Sequence, residues 1–190
     1  MDVDITNHLK GRIAEAMVEC IFRRAQYRVA RVGVESQVQR LVKRGSHEFA
    51  PDLLAWKRAP GPGRDPELHR FLALEVKYRA KLDDFLRDHC VQIFSEAKDG
   101  WPDLYFVFVT DNPDGDRSCF QAVCLREYTA GSEPVTRALH EFRALGIRQE
   151  LVIKHERITK DLFAALAGDP VARHPPRAAR FGEAYQRLRA

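Results

Sequence analysis

The sequence predicts an α/β fold, a mixed central sheet flanked by helices. Three observations predict it. An amphipathic helical repeat opens the chain. Five short β-branched or apolar runs follow, and a second helical repeat falls between the third and the fourth. One of these runs, DLYFVFVT, is almost continuously apolar, as a strand buried on both faces should be. The 190 residues make one compact domain the default and can bury a full core without staples.

The elements follow in order. Residues 6–25 read as a helix, with Ile5, Leu9, Ile13, Met17 and Ile21 as its stripe and Ala16 and Cys20 beside it. Thr6 or Asp4 would cap its start. Gly11 costs about 1 kcal/mol against Ala in a helix, which predicts a close approach to the backbone there. Strands are expected at Tyr27–Val34, at Glu48–Trp56 (interrupted by Pro51) and at Phe71–Tyr78. The stretch Val38–Lys43 fits no single pattern, and Ala59–Glu67 is a loop rich in Pro and Gly.

In the third strand Leu72, Leu74 and Val76 face one way, and Phe71, Ala73, Glu75 and Lys77 the other. Leu82–Ala97 reads as the second helix, with Asp83 and Asp84 at its start. Strands at Asp103–Thr110 and Cys119–Leu125 are joined by a turn, Asp111–Arg117. Beyond them the patterns predict a helix over Glu133–Leu145, a short strand over Glu150–Lys154 and a short helix over Lys160–Ala167. The expected division is a core over 1–130, a C-terminal α/β extension packed on it over 131–170, and a basic tail over 171–190.

Composition excludes several classes. No apolar stretch is long enough to span a bilayer. The opening residues have neither a secretory nor a transit pattern, so a cytoplasmic protein with no membrane partner is expected. Cys20, Cys90, Cys119 and Cys124 form no CxxC pair and are expected as reduced thiols, with Cys119 and Cys124 on opposite strand faces. The seven histidines show no HExxH spacing. Phosphate-cradling, dinucleotide and serine-elbow motifs do not occur, so no nucleotide cofactor is expected.

The net charge of +4 conceals a division. Residues 1–48 carry a net +3, residues 49–136 a net −4 and residues 137–190 a net +5. The acidic middle is the place to seek carboxylate chemistry. There, Asp52, Glu75 and Lys77 sit in otherwise apolar strands. Folding the second strand against the third places Asp52 beside Glu75. Two converging carboxylates suit Mg²⁺ or Mn²⁺, which polarise a phosphoryl oxygen and acidify bound water. Lys77 would then hold or deprotonate that water. Two other readings stand beside this one: a salt-bridged interior and a solvent-facing strand edge.

Pro51-Asp52 followed by Glu75-Val76-Lys77 resembles the signature of the PD-(D/E)xK nuclease superfamily. Gly11-Arg12-Ile13-Ala14-Glu15 resembles the GxxxE motif of its restriction endonuclease-like and Holliday-junction resolvase-like members. The resemblance covers roughly residues 6–125 and implies an αβββαβ core. It implies Asp52, Glu75, the Val76 carbonyl and Glu15 as metal ligands, Lys77 on the water, and Gln92 behind them. Arg87 is the alternative to Gln92. Glu19, one turn beyond Glu15, is the rival for its place. Asp103 forms a second Pro-Asp pair without an ExK and reads as a strand-entry residue.

The implied activity is Mg²⁺-dependent DNA endonuclease, with Mn²⁺ as substitute and defence, repair or recombination as setting. The alternative is an inactive nuclease-fold module that binds DNA or protein. Lys10, Arg12, Lys43, Arg44, Arg79 and Lys81 are the expected phosphate contacts. Arg40 and His47 lie near them. Cutting both strands of a duplex calls for two sites, so a homodimer is expected. The arginine-rich tail is a DNA arm, a dimer arm or a loose end.

Overall fold

In this computed structural model the residues described are 3–32, 49–58, 69–111, 113 and 115–168. The chain runs α1 (Val3–Arg24), β1 (Arg28–Arg31), β2 (Leu53–Arg58), β3 (His69–Tyr78), α2 (Leu82–Asp88), α3 (Cys90–Gly100), β4 (Tyr105–Val109), β5 (Phe120–Cys124), β6 (Arg137–Ala138) and α4 (Gln149–Ala167). Val38–Lys43 and the 171–190 tail lie outside the described residues.

The six strands form one mixed sheet in sequential order. All neighbours are antiparallel except β3 and β4. A parallel pair cannot be closed by a tight turn, and α2 and α3 supply the crossover. The expected α/β class is therefore present, with helices on the sheet.

Each sheet face has its own core. On one face α1 and α4 pack Ala14, Val18, Phe22, Val152 and Phe163 against Leu72, Leu74 and Val76. On the other, α2 and α3 pack Phe85 and Phe94 against Ala73, Phe106 and Phe108. The Phe94 and Phe106 rings lie 4.6 Å apart, and Phe94 meets Tyr128 edge-on at 5.1 Å. Each such fully buried ring contributes on the order of 1.5–3 kcal/mol. All five residues of β4 are buried, which is why its sequence does not alternate.

Several expectations are corrected. Of the predicted α1 stripe Ile21 is fully buried and Ile13 and Met17 pack partly buried on the core, but the buried face also runs through Lys10, Ala14, Val18 and Phe22, one residue on. Ile5 and Leu9 are 56% and 39% exposed. The two stripes share a spacing of four and differ only in phase, which spacing alone does not fix. Helix α1 begins at Val3, so Thr6 lies inside it and does not cap it. The predicted second helix is two helices, broken at His89 (φ −131°).

The helix expected over 133–145 is instead the edge strand β6 and a single 3₁₀ turn at Leu139–Glu141. Arg137 and Ala138 pair with Ala122 and Gln121, so the sheet edge takes them. The strand expected over 150–154 is the start of α4. There the buried Val152, His155, Thr159 and Phe163 recur at helical spacing and seat the helix on α1. Residues 131–168 add β6 to the sheet and pack α4 into the α1-side core.

Cys119 and Cys124 pack in the same cluster. Cys119 precedes the first residue of β5, so strand alternation does not reach it. All four thiols are free. Among the described residues no helix is long and apolar enough to cross a membrane.

Candidate active site

Strand β2 begins only at Leu53 because Pro51, just upstream, has no N–H to offer the ladder. Continuing the β2–β3 register from Leu53 and Leu74 sets Asp52 opposite Glu75. Side chains then take over from the ladder. The Asp52 N–H donates to Glu75 Oε2 at 3.1 Å, and the Val76 N–H donates to Asp52 Oδ2 at 2.8 Å. The Asp52 carbonyl accepts from Val32 N–H at 2.9 Å, tying β1 to the same point. The N–H and C=O of one strand residue point to the same edge, so the Val76 carbonyl is directed toward Asp52 as well.

Glu75 is the unusual member. Its side chain is only 5% exposed, and its carboxylate forms an ion pair with Lys77. Burial is the main cause that pushes its pKa up, to about 7. Lys77 opposes the shift, and the Asp52 charge and a hydrogen bond to the Asp52 side chain add to it.

Glu15 comes from α1, on the opposite face, yet it senses both Asp52 and Lys77. Desolvation and then the Asp52 charge hold its carboxyl above the usual range, against Arg12, Arg31 and Lys77. Glu19 behaves differently. Burial opposes its charge, but hydrogen bonds from Arg23 and Arg31 prevail and hold its pKa down. Glu15 lines an open cleft with long contacts to Arg12 and Arg31, whereas Glu19 is held closely by Arg23 and Arg31.

An open cleft of about 360 Å³ runs past Asn7, Gly11, Glu15, Lys77, Tyr78 and Arg79. Asp52 and Glu75 are not among its lining residues, and Lys77 links them to it. No atom lies within 4 Å of where a Gly11 Cβ would be, so the expected close approach is absent. The glycine faces the open cleft instead.

Other expected site residues are placed elsewhere. Gln92 is exposed and donates to Glu96 Oε1 at 2.9 Å on its own helix, so it does not back the carboxylates. Arg87 is exposed and pairs with Asp84 at 3.7 Å. Lys10 is not offered to a polyanion: it is 7% exposed and bonded to Asp111 and Tyr78. Arg12 is exposed beside Glu15. Arg79 lines the cleft with its guanidinium 4.4 Å above the Phe85 ring. Lys81 is exposed. Arg40, Lys43, Arg44 and His47 lie outside the described residues. Asp103 pairs with Arg126 at the entry to β4.

Two residues near the site escaped the sequence reading. Arg31 bridges Glu15 and Glu19, at 3.5 and 2.8 Å. Asp111 closes the Lys10–Tyr78 network. Lys10 itself carried a signal, since it sits four residues before Ala14 on the face that proves buried.

A hard cation fits the donor chemistry here. Two neighbouring carboxyls, joined through the Asp52 N–H and one of them buried and resisting ionisation, are set against a single lysine. Among the described residues no group of three or more His, Cys, Asp or Glu converges as a ready-made metal cage. Mg²⁺ does not require one, since it commonly takes one or two carboxylates and completes its shell with water and phosphate. Comparisons with family models, curated proteins and solved structures return no match to this chain.

Proposed function

We propose that the chain is a Mg²⁺-dependent deoxyribonuclease, an endonuclease of the PD-(D/E)xK kind serving defence, repair or recombination. The observation that carries this reading is the pairing of Asp52 with the buried Glu75 through the Asp52 N–H and Glu75 Oε2, with Lys77 paired to Glu75 beside an open cleft. The order of elements from α1 to β4 agrees with the αβββαβ arrangement that the motif resemblance implies.

Asp52, Glu75 and the Val76 carbonyl would hold Mg²⁺ or Mn²⁺, with Glu15 close by. The ion would supply charge neutralisation at phosphate and a more acidic water. Lys77 lies two residues from Glu75 on the same strand face and reaches the cleft. Its ammonium orients the attacking water and offsets the negative charge that grows as the phosphorus–oxygen bond breaks. Burial of Glu75 fixes that carboxyl in place. Arg79 lines the cleft and Arg12 lies exposed beside its Glu15, and both would meet phosphates.

The test is cleavage of supercoiled, linear, single-stranded and branched DNA with Mg²⁺ or Mn²⁺. Cutting is expected on at least one substrate and is abolished by chelation. Lys77→Ala lowers the rate about 10²–10⁴-fold, the range for a positioned proton-transfer or charge-stabilising group. The proposal fails if nothing is cut, or if Asp52→Ala and Lys77→Ala cut like the wild type.

The ion pair that Lys77 forms with Glu75 also fits a second reading. In it the fold binds DNA or protein without turnover, and binding is indifferent to divalent metal.

A further inference from the structure

Phe71 is 70% exposed in the middle of the sheet's first hairpin. In the β1–β2–β3 register, Arg28 pairs with Trp56 and Trp56 with Phe71, so the three side chains form one row on one face. The Trp56 and Phe71 rings are stacked, 6.3 Å between centroids and 19° between planes. The next row on that face is Arg58 and His69, with the His69 ring 6.3 Å from Phe71. Arg28 and Arg58 are exposed, and among the described residues neither has a carboxylate partner.

An exposed Phe71 stacked on a half-buried Trp56 invites association, and Arg28 and Arg58, without a carboxylate partner among the described residues, make this patch cationic. Its complement must present flat π-faces and negative charge together, which unpaired nucleobases on a phosphate backbone do. Strand alternation puts Glu75 and Lys77 on the same face as Phe71, and Asp52 on the same face as Trp56. Four residues separate Phe71 from Glu75, about 13 Å along β3. A strand held on the aromatic row lies within a few nucleotides of the acidic site.

We propose that Trp56 and Phe71, flanked by Arg28 and Arg58, form a stacking platform for the unpaired bases of a single-stranded nucleic acid. The choice of partner rests on the nuclease reading of the acidic site, but the platform's binding does not require metal or turnover.

The experiment is therefore run in chelator, on a chain carrying Asp52→Ala, with a fluorescent single-stranded DNA oligonucleotide. A matched abasic strand and a matched duplex serve as comparison ligands. The base-bearing strand is expected to bind more tightly than either. Phe71→Ala weakens it about tenfold or more, the effect of losing one stacked base. Phe71→Trp retains it, and the abasic strand is indifferent to all Phe71 variants.

The abasic comparison does not depend on how any variant folds. The platform is overturned if the abasic strand binds as well as the base-bearing one, or if no oligonucleotide binds. It is also overturned if Phe71→Ala dissolves a dimer while leaving oligonucleotide binding unchanged. Cleavage by the wild-type chain with Mg²⁺ is scored separately, so the two proposals fail independently.

Discussion

Two polar clusters lie at the C-terminal end of β3, one residue apart in sequence. The Asp52–Glu75–Lys77 cluster sets two carboxyls against one ammonium, and Glu75 resists ionisation up to about pH 7. The Lys10–Tyr78–Asp111 cluster sets one carboxylate against one ammonium, with the Tyr78 hydroxyl bonded to both. Burial works against the Lys10 charge, yet Asp111 and Tyr78 outweigh it and hold the pKa above its ordinary value. Lys10 also lies 5.4 and 5.3 Å from the Tyr78 and Phe163 ring centroids. A buried network whose charges balance holds elements together, here α1, β3 and the exit of β4. A buried network with excess charge costs stability and is retained where a ligand completes it.

That contrast is open to breakage. Lys10→Met should have the largest effect on stability, because it strands Asp111 and leaves Tyr78 half-satisfied. Removing one partner of a buried pair costs about 3–5 kcal/mol. With Asp111 a quarter exposed, a loss of about 2–3 kcal/mol in a denaturant melt is expected. A loss below about 0.5 kcal/mol would show that the tie carries no structural weight.

Glu75→Gln in chelator should act in the opposite sense. Glu75 holds its proton to about pH 7 in the folded chain, whereas an unfolded glutamate releases it near pH 4.3. Between those values the native state binds more protons, so wild-type stability falls as pH rises through the window. The glutamine variant lacks that fall and gains on the order of 1–3 kcal/mol on the wild type at pH 8. At pH 4 the two should melt alike. A variant less stable than wild type at pH 8 would make the acidic cluster a net stabiliser.

Tyr78→Phe should have the smallest effect. It keeps the ring against Phe163, 5.2 Å away, and deletes only the bridging hydroxyl. A cost of about 0.5–1.5 kcal/mol is expected, since Lys10 and Asp111 retain each other.

The sequence carried much of this because charge stands out in an apolar run. Glu75 and Lys77 interrupt a strand whose Leu72 to Val76 are buried in succession, and Pro51 marks where the neighbouring strand ends. The α1 glutamates were legible only as a pair. Choosing Glu15 needed the arginines of β1 and of the last turn of α1 that claim Glu19. The C-terminal third was misread for a reason of the same kind. Leu151, Val152 and Ile153 look like a strand, but their neighbours at helical spacing bury against α1. Arg137 and Ala138 have no strand character, and the open edge of β5 makes them one. Partners far away in sequence decided each of these, and local pattern does not contain them. Gln92 failed similarly, because α3 turns it toward Glu96.

Titration of Mn²⁺ into the chelator-stripped chain, followed by calorimetry or by the spectrum of free Mn²⁺, tests the acidic cluster most directly. Saturable binding by the wild type is expected, with its loss in Asp52→Ala and unchanged binding in Tyr78→Phe, whose cluster is already balanced. Equal binding by the wild type and Asp52→Ala, or none by the wild type, would contradict it.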